Sequence, residues 1–121
     1  MATGGATLRM AERAGLGNAL LHLLTGDEFG AAEALRLNFV QRVLPAADVE
    51  AHALTLAQTI AQQAPLAVVA TRLNALKAVE HGPVVAMQEF IATQQRLSRS
   101  EDAAEGVASF VAKRPARFTG R

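Results

Sequence analysis

Phe110 and Lys113 are the residues whose types and spacing come nearest to chemistry. Three positions apart, they share one face of any helix that carries them. A lysine ammonium is a compact cation suited to phosphate groups, and a phenylalanine ring offers a flat apolar surface on which another ring can stack. The alternative is that Phe110 is a core residue and Lys113 only offsets the negative end of a helix dipole. Arg114, Arg117 and Arg121 add positive charge nearby and read more simply as a solvated tail. Four carboxylates, Glu12, Asp27, Glu28 and Glu33, have the type needed for acid–base work. Each is read as a surface group or local charge partner, so no catalytic residue is assigned. His22, His52 and His81 are scattered, without a second histidine or carboxylate at ligand spacing, and no metal site is expected. His22 lies among leucines and is expected to be partly buried. His81, near a helix end, is placed to meet carbonyls there.

The elements that must position these groups are helical. The chain has 121 residues and a net charge of +1; half of it is hydrophobic, with Ala the commonest apolar residue, five Phe and no Trp or Tyr. Ala is the best helix former, so closely packed helices are expected. A chain of this length buries roughly two-thirds of its unfolded surface as one domain. Many small apolar residues leave less area per residue to bury, which favours a partner surface. The charge balance, and the lack of a basic run interleaved with aromatics, argue against nucleic acid. No cysteine is present, which excludes disulfides, thiolate metal sites and a cysteine nucleophile. There is no signal-peptide pattern, and no stretch approaches the roughly 20 apolar residues that span a bilayer. A cytoplasmic protein without membrane contact is the expectation.

Helix signals follow one another along the chain. After the Gly4-Gly5 turn, Thr7 to Ala14 reads as a short helix. Leu16, Ala19, Leu20, Leu23 and Leu24 follow at helical spacing and stop at Gly26. Ala31 to Leu37 makes another, with Asn38 as a left-handed cap. Phe39–Leu44 is the one credible strand, β-branched and aromatic, closed by Pro45, and it would need a partner strand. Residues 46–64 form the clearest helix, with Val49, Ala53, Leu56, Ile60 and Ala64 as its stripe and Asp48 and Glu50 in the first turn. Pro65 opens the next helix, carrying Leu66, Val69, Leu73 and Leu76, and His81-Gly82 ends it. Pro83 opens another, with Val84, Met87, Phe90, Ile91 and Leu97 facing inward. Ser100 caps the last helix, with Glu101 and Asp102 in its first turn. Val107, Phe110 and Val111 form its apolar side, Lys113 and Arg114 its end, and Pro115 blocks continuation. The stripes are core by default.

Several stretches, in order and spacing, resemble the enoyl-CoA hydratase/isomerase (crotonase) family. Gly5-Ala6-Thr7 is similar to its Gly-Gly-Thr turn and is followed by Leu8-Arg9-Met10 and Gly15. Leu23-Leu24-Thr25-Gly26 matches a Leu-Thr-Gly; Ala31-Ala-Glu-Ala-Leu35 with Asn38-Phe39-Val40 resembles Ala-x-Glu-Ala then Gly-Leu-Val. Val43-Leu44-Pro45, Pro65-Leu-Ala67, Ser100-Glu-Asp, Glu105-Gly106, Phe110, Lys113-Arg114-Pro115 and Phe118-x-Gly120 complete the pattern. Ala6, Ala11 and Asn38 depart from it, at positions where the family favours Gly, Pro and Gly. The resemblance is to the carboxyl-terminal portion of that family's domain.

The resemblance implies a mainly α region of a crotonase-like fold, with residues 1–45 ending the core superhelix and 46–121 forming a helical covering and trimerisation region. It implies enoyl-CoA hydratase or isomerase chemistry on acyl-CoA thioesters, as lyase or isomerase. Coenzyme A enters as part of the substrate and no separate cofactor is needed. Phe110 and Lys113 are the positions implied to contact coenzyme A. In related hydratases the backbone just before the glycine turn helps hold the attacking water, here near Thr3. The family's oxyanion hole and paired catalytic glutamates are expected to precede Met1, so this chain is expected to be inactive by itself, and homo-oligomeric through trimer-type contacts. The alternative is a non-enzymatic helical oligomerisation module derived from the same family.

Overall fold

A computed structural model describes residues 4–121. Thr3, singled out above, lies outside the described residues. The described residues form seven α-helices and no strand: α1 (Ala6–Ala14), α2 (Leu16–Thr25), α3 (Ala31–Arg36), α4 (Val49–Ala61), α5 (Pro65–His81), α6 (Pro83–Ser98) and α7 (Glu101–Val111), with a 3-10 turn at Ala46–Asp48. The chain divides into two compact units, one ending at Val49 and the other running from Glu50 to Arg121.

In the first unit α1 packs on α2. Gly15, at φ 77°, makes the one-residue break between them, a conformation that glycine adopts without a β-carbon clash. Ala14, Ala19 and Leu37 are buried there, Leu37 at 1% exposure. Helix α3 ends in a left-handed corner at Asn38, φ 61°. The Phe39 N–H donates to the Ala34 carbonyl at 2.9 Å and the Asn38 N–H to that of Leu35 at 3.1 Å. This is the paired arrangement of a Schellman corner, as the Asn38 cap led one to expect.

Phe39–Leu44, read as at most one short strand in need of a partner, forms no strand among the described residues. A strand is stabilised by ladder bonds to a neighbour, and none is formed here among the described residues. The segment instead leaves the Asn38 corner, with the Phe39 ring stacked on Phe29 at 5.8 Å.

In the second unit α6 packs back along α5 from a break at Gly82 (φ 85°), and α7 packs on α6. Asn74 Nδ2 donates to the Ala86 carbonyl at 3.0 Å and Lys77 meets Glu89 at 2.7 Å across the α5–α6 pair. Helix α4 stops at Ala61 rather than 64 because Ala64 precedes Pro65 and takes an extended conformation (φ −56°, ψ 113°), the region to which the proline ring confines its predecessor. Ser100 caps α7 as expected, accepting from the Ala103 N–H at 3.1 Å.

The apolar stripes are not the buried core that periodicity suggested. Val49, Leu56 and Ile60 on α4, Leu66, Val69 and Leu73 on α5, Val84, Met87 and Ile91 on α6, and Val107, Phe110 and Val111 on α7 are exposed. Periodicity identifies which face of a helix is apolar; what covers that face is a property of its neighbours. The fully buried apolar side chain of the second unit is small, Ala86.

Candidate functional site

Helix α7 and the tail that follows it carry the candidate site residues Phe110 and Lys113. Two carboxylates three positions apart on α7, Asp102 and Glu105, fasten the tail back onto the helix. Asp102 is buried, at 3% exposure. Its Oδ1 accepts from the Thr119 N–H at 2.6 Å and its Oδ2 from the Gly120 N–H at 2.9 Å. Its own N–H donates to the Arg121 carbonyl at 3.0 Å. Glu105 holds the Arg114 guanidinium by a fork, with Nη1 and Nη2 donating at 2.6 and 2.7 Å, and also accepts from the Arg117 N–H at 2.8 Å. The Arg114 hydrogen bonds, then that of Arg117, hold the Glu105 carboxyl down to about 2. Farther along the tail, a side chain placed at Gly120 would meet the Pro65 ring that begins α5.

Between these fastenings lies the corner that carries Lys113. Helix α7 ends with Lys113 in the left-handed region, φ 50°. The Arg114 N–H reaches back to the Ser109 carbonyl at 3.1 Å and the Lys113 N–H to that of Phe110 at 3.2 Å. This is the same Schellman pairing as at Asn38, with lysine where glycine is the usual choice. Phe110 lies just before the corner, 84% exposed, and Lys113 is exposed too. Among the described residues neither side chain has a hydrogen bond, ion pair or ring contact. A flat apolar ring and an unpaired ammonium thus stand on the surface three residues apart, able to take a stacked ring and a phosphate.

The expected solvated tail of arginines is corrected in part. Arg114 is committed to Glu105, the Arg117 backbone is tied to the same carboxylate, and the Arg121 carbonyl is tied to α7. These bonds span nine to nineteen residues, a range at which spacing alone names no partner. The hint that sequence did hold is the pair of carboxylates, Asp102 and Glu105, on one side of a short helix that precedes a run of arginines.

In the first unit the acid–base candidates resolve differently. Glu33 receives a fork from Arg36, at 2.7 Å from Nε and 2.6 Å from Nη2, which lowers its pKa. It is a charge partner. The His22 ring, 11% exposed, lies 3.6 Å from Glu33 and 4.7 Å from the centre of the Phe29 ring. Glu12, Asp27 and Glu28 are exposed. His81 stands 3.9 Å from Glu80, an exposed neighbour. Among the described residues no three histidine or acidic side chains converge on a point that would hold a metal. No single helix there is long and apolar enough to cross a membrane.

The comparisons with known proteins place this architecture. The family model for enoyl-CoA hydratase/isomerase matches residues 1–121. A probable enoyl-CoA hydratase of Mycobacterium bovis is 36% identical over 121 residues, covering 97% of this chain and 46% of the relative. A carnitinyl-CoA dehydratase of Proteus mirabilis is 36% identical over 103 residues, 82% of this chain and 40% of that protein. The crystal structure of a probable enoyl-CoA hydratase/isomerase from Mycobacterium abscessus superposes with a TM-score of 0.89 at 44% identity, covering 98% of this chain and 46% of its own. An enoyl-CoA hydratase subunit structure from Geobacillus kaustophilus gives 0.87 at 35% identity, covering 100% and 47%. The chain therefore spans about half the length of the relatives it matches. With every residue inside the family model and the helices superposing on crotonase-fold hydratases, the chain belongs to the enoyl-CoA hydratase/isomerase family.

Proposed function

We propose that these residues form the carboxyl-terminal, coenzyme-A-facing part of an acyl-CoA hydratase or isomerase of the cytoplasm. Residues 1–45 then end the core superhelix, and residues 46–121 cover it and pack between subunits of a homo-oligomer. Coenzyme A is part of the substrate, and no other cofactor is required. The observation that carries this reading is the exposed pair Phe110 and Lys113, at the end of α7, in a chain that superposes over 98% of its length on a probable enoyl-CoA hydratase/isomerase at 44% identity. In it, the adenine ring stacks on Phe110 and a coenzyme A phosphate meets the Lys113 ammonium.

The same reading makes the 121-residue polypeptide inactive in hydration by itself. Its acidic candidates are either solvent-exposed or bound to arginine, so none is held ready for proton transfer. The test is direct. Coenzyme A titrated into the purified chain is expected to bind, and Lys113→Ala is expected to weaken binding about tenfold, the loss of one charge-assisted contact. Mixed with crotonyl-CoA, the chain is expected to leave the conjugated thioester absorbance unchanged. Turnover above a heat-treated control would refute the inactivity, and equal binding by Lys113→Ala would refute the site.

The exposed apolar faces of α4 to α7 favour a second reading, a helical oligomerisation module without catalysis. Light scattering separates the readings when combined with binding: a concentration-dependent oligomer that takes up no coenzyme A supports the module, and a monomer at all concentrations removes it.

A further inference from the structure

We propose that Glu105 is a positioning residue that aims Lys113 at its ligand; the inference rests on the coenzyme A reading of Phe110 and Lys113. Two observations converge on Glu105, and a third fixes the corner it holds. Its carboxylate takes both guanidinium nitrogens of Arg114, the residue immediately after Lys113, at 2.6 and 2.7 Å. It also takes the Arg117 N–H at 2.8 Å, so it holds the outgoing chain at two points. The Arg114 N–H in turn closes the corner on the carbonyl of buried Ser109 at 3.1 Å. Lys113 itself stands at φ 50°, a backbone region that a residue with a β-carbon holds only when its surroundings impose it. The Glu105 clasp is that imposition.

The clasp has two consequences for recognition. A lysine side chain is flexible, and a ligand must bear the cost of ordering it; fixing its backbone in one corner removes part of that cost before the ligand arrives. The fork also allots the charges. Glu105 is saturated by Arg114 and Arg117 and does not compete for the Lys113 ammonium. Arg114 is committed, which leaves Lys113 as the cation on offer beside Phe110.

The experiment uses the 121-residue chain, coenzyme A as the titrant in calorimetry, and trypsin as a probe of the Lys113–Arg114 bond. Glu105→Gln is expected to bind coenzyme A about threefold more weakly, by less than the roughly tenfold loss of the contact itself. It is expected to be cut after Lys113 faster than the parent chain. In a Lys113→Ala background, Glu105→Gln is expected to cause no further loss of affinity, because it acts only through that lysine. Arg114→Lys keeps the charge but loses the fork, and is expected to reproduce the Glu105→Gln loss if that variant folds poorly by circular dichroism. An affinity loss from Glu105→Gln that persists undiminished beside Lys113→Ala would overturn the proposal, because a general structural defect behaves that way. Unchanged trypsin cleavage after Lys113 would overturn it as well. If Lys113→Ala binds as the parent does, it is the coenzyme A site that fails, while the trypsin result still decides whether the clasp exists.

Discussion

The molecule contains the same two devices twice, once in each unit. Glu33 with Arg36 and Glu105 with Arg114 are both forked carboxylate–guanidinium pairs. Asn38 and Lys113 are both left-handed helix ends with the same two backbone bonds. In the first unit the pair is local: Glu33 and Arg36 lie three residues apart, within α3, and their bond adds to a turn that is already made. In the second, Glu105 and Arg114 lie nine residues apart, and their bond draws the tail across the helix. The left-handed residue differs too. Asparagine visits that region at little cost, whereas lysine does not. The second unit therefore uses a long-range clasp to hold an unfavourable corner, at the point where an exposed cation stands beside an exposed ring. In the first unit the forked pair stays within α3 and the corner falls on asparagine, although Arg36 also reaches Asn18, eighteen residues away, at 3.3 Å.

The largest expected effect sharpens this contrast at Asp102. Removing its buried carboxylate leaves the Thr119 and Gly120 N–H groups without their acceptor. Asp102→Ala is thus expected to destabilise the second unit by about 2–3 kcal/mol, read as a lower urea midpoint, while Glu33→Ala costs far less. Ser100→Ala removes the cap on Ala103 and is expected to cost about 1 kcal/mol. Lys113→Gly is expected to raise stability by up to about 1 kcal/mol by relieving the corner, and to lower coenzyme A affinity. Asn38→Gly is expected to change the melting temperature by less. An equal gain at both positions would erase the distinction drawn between them.

The smallest effect concerns acid. The folded Glu105 carboxyl sits at about 2, below its ordinary 4.5. A depressed carboxyl contributes stability that is fully present above pH 4.5 and is lost as pH falls toward 2. Glu33 is shifted in the same direction, chiefly by Arg36. Glu105→Gln is therefore expected to flatten the acid limb of the stability profile more than Glu33→Gln does, measured by urea unfolding between pH 5 and pH 2.

Most of the helices were legible from local signals. Gly15, Gly26, Pro65, Gly82 with Pro83, and Ser100 all punctuate the chain where the structure breaks it. The Asn38 cap was legible because asparagine is one of the few residues that accept that conformation. Phe39–Leu44 reads as at most one short strand in need of a partner; β-propensity describes fitness for a sheet, and the described residues offer no partner strand. Spacing put Phe110 and Lys113 on one helix face; the structure ends α7 at Val111 and turns Lys113 into the left-handed region, which nothing about lysine announces.

What the amino-acid order determined by itself is the succession of helices, their caps and the family pattern, because these depend on neighbours within a turn or two of the chain. Only tertiary structure decided that the arginine tail is fastened rather than loose. Asp102 and Glu105 find their partners nine to eighteen residues away, and which of the available N–H and guanidinium donors a carboxylate meets depends on where the folded chain returns. It also decided that the apolar stripes of α4 to α7 stand exposed in this chain. A stripe records that a face is apolar, and burial is conferred by whatever lies against it.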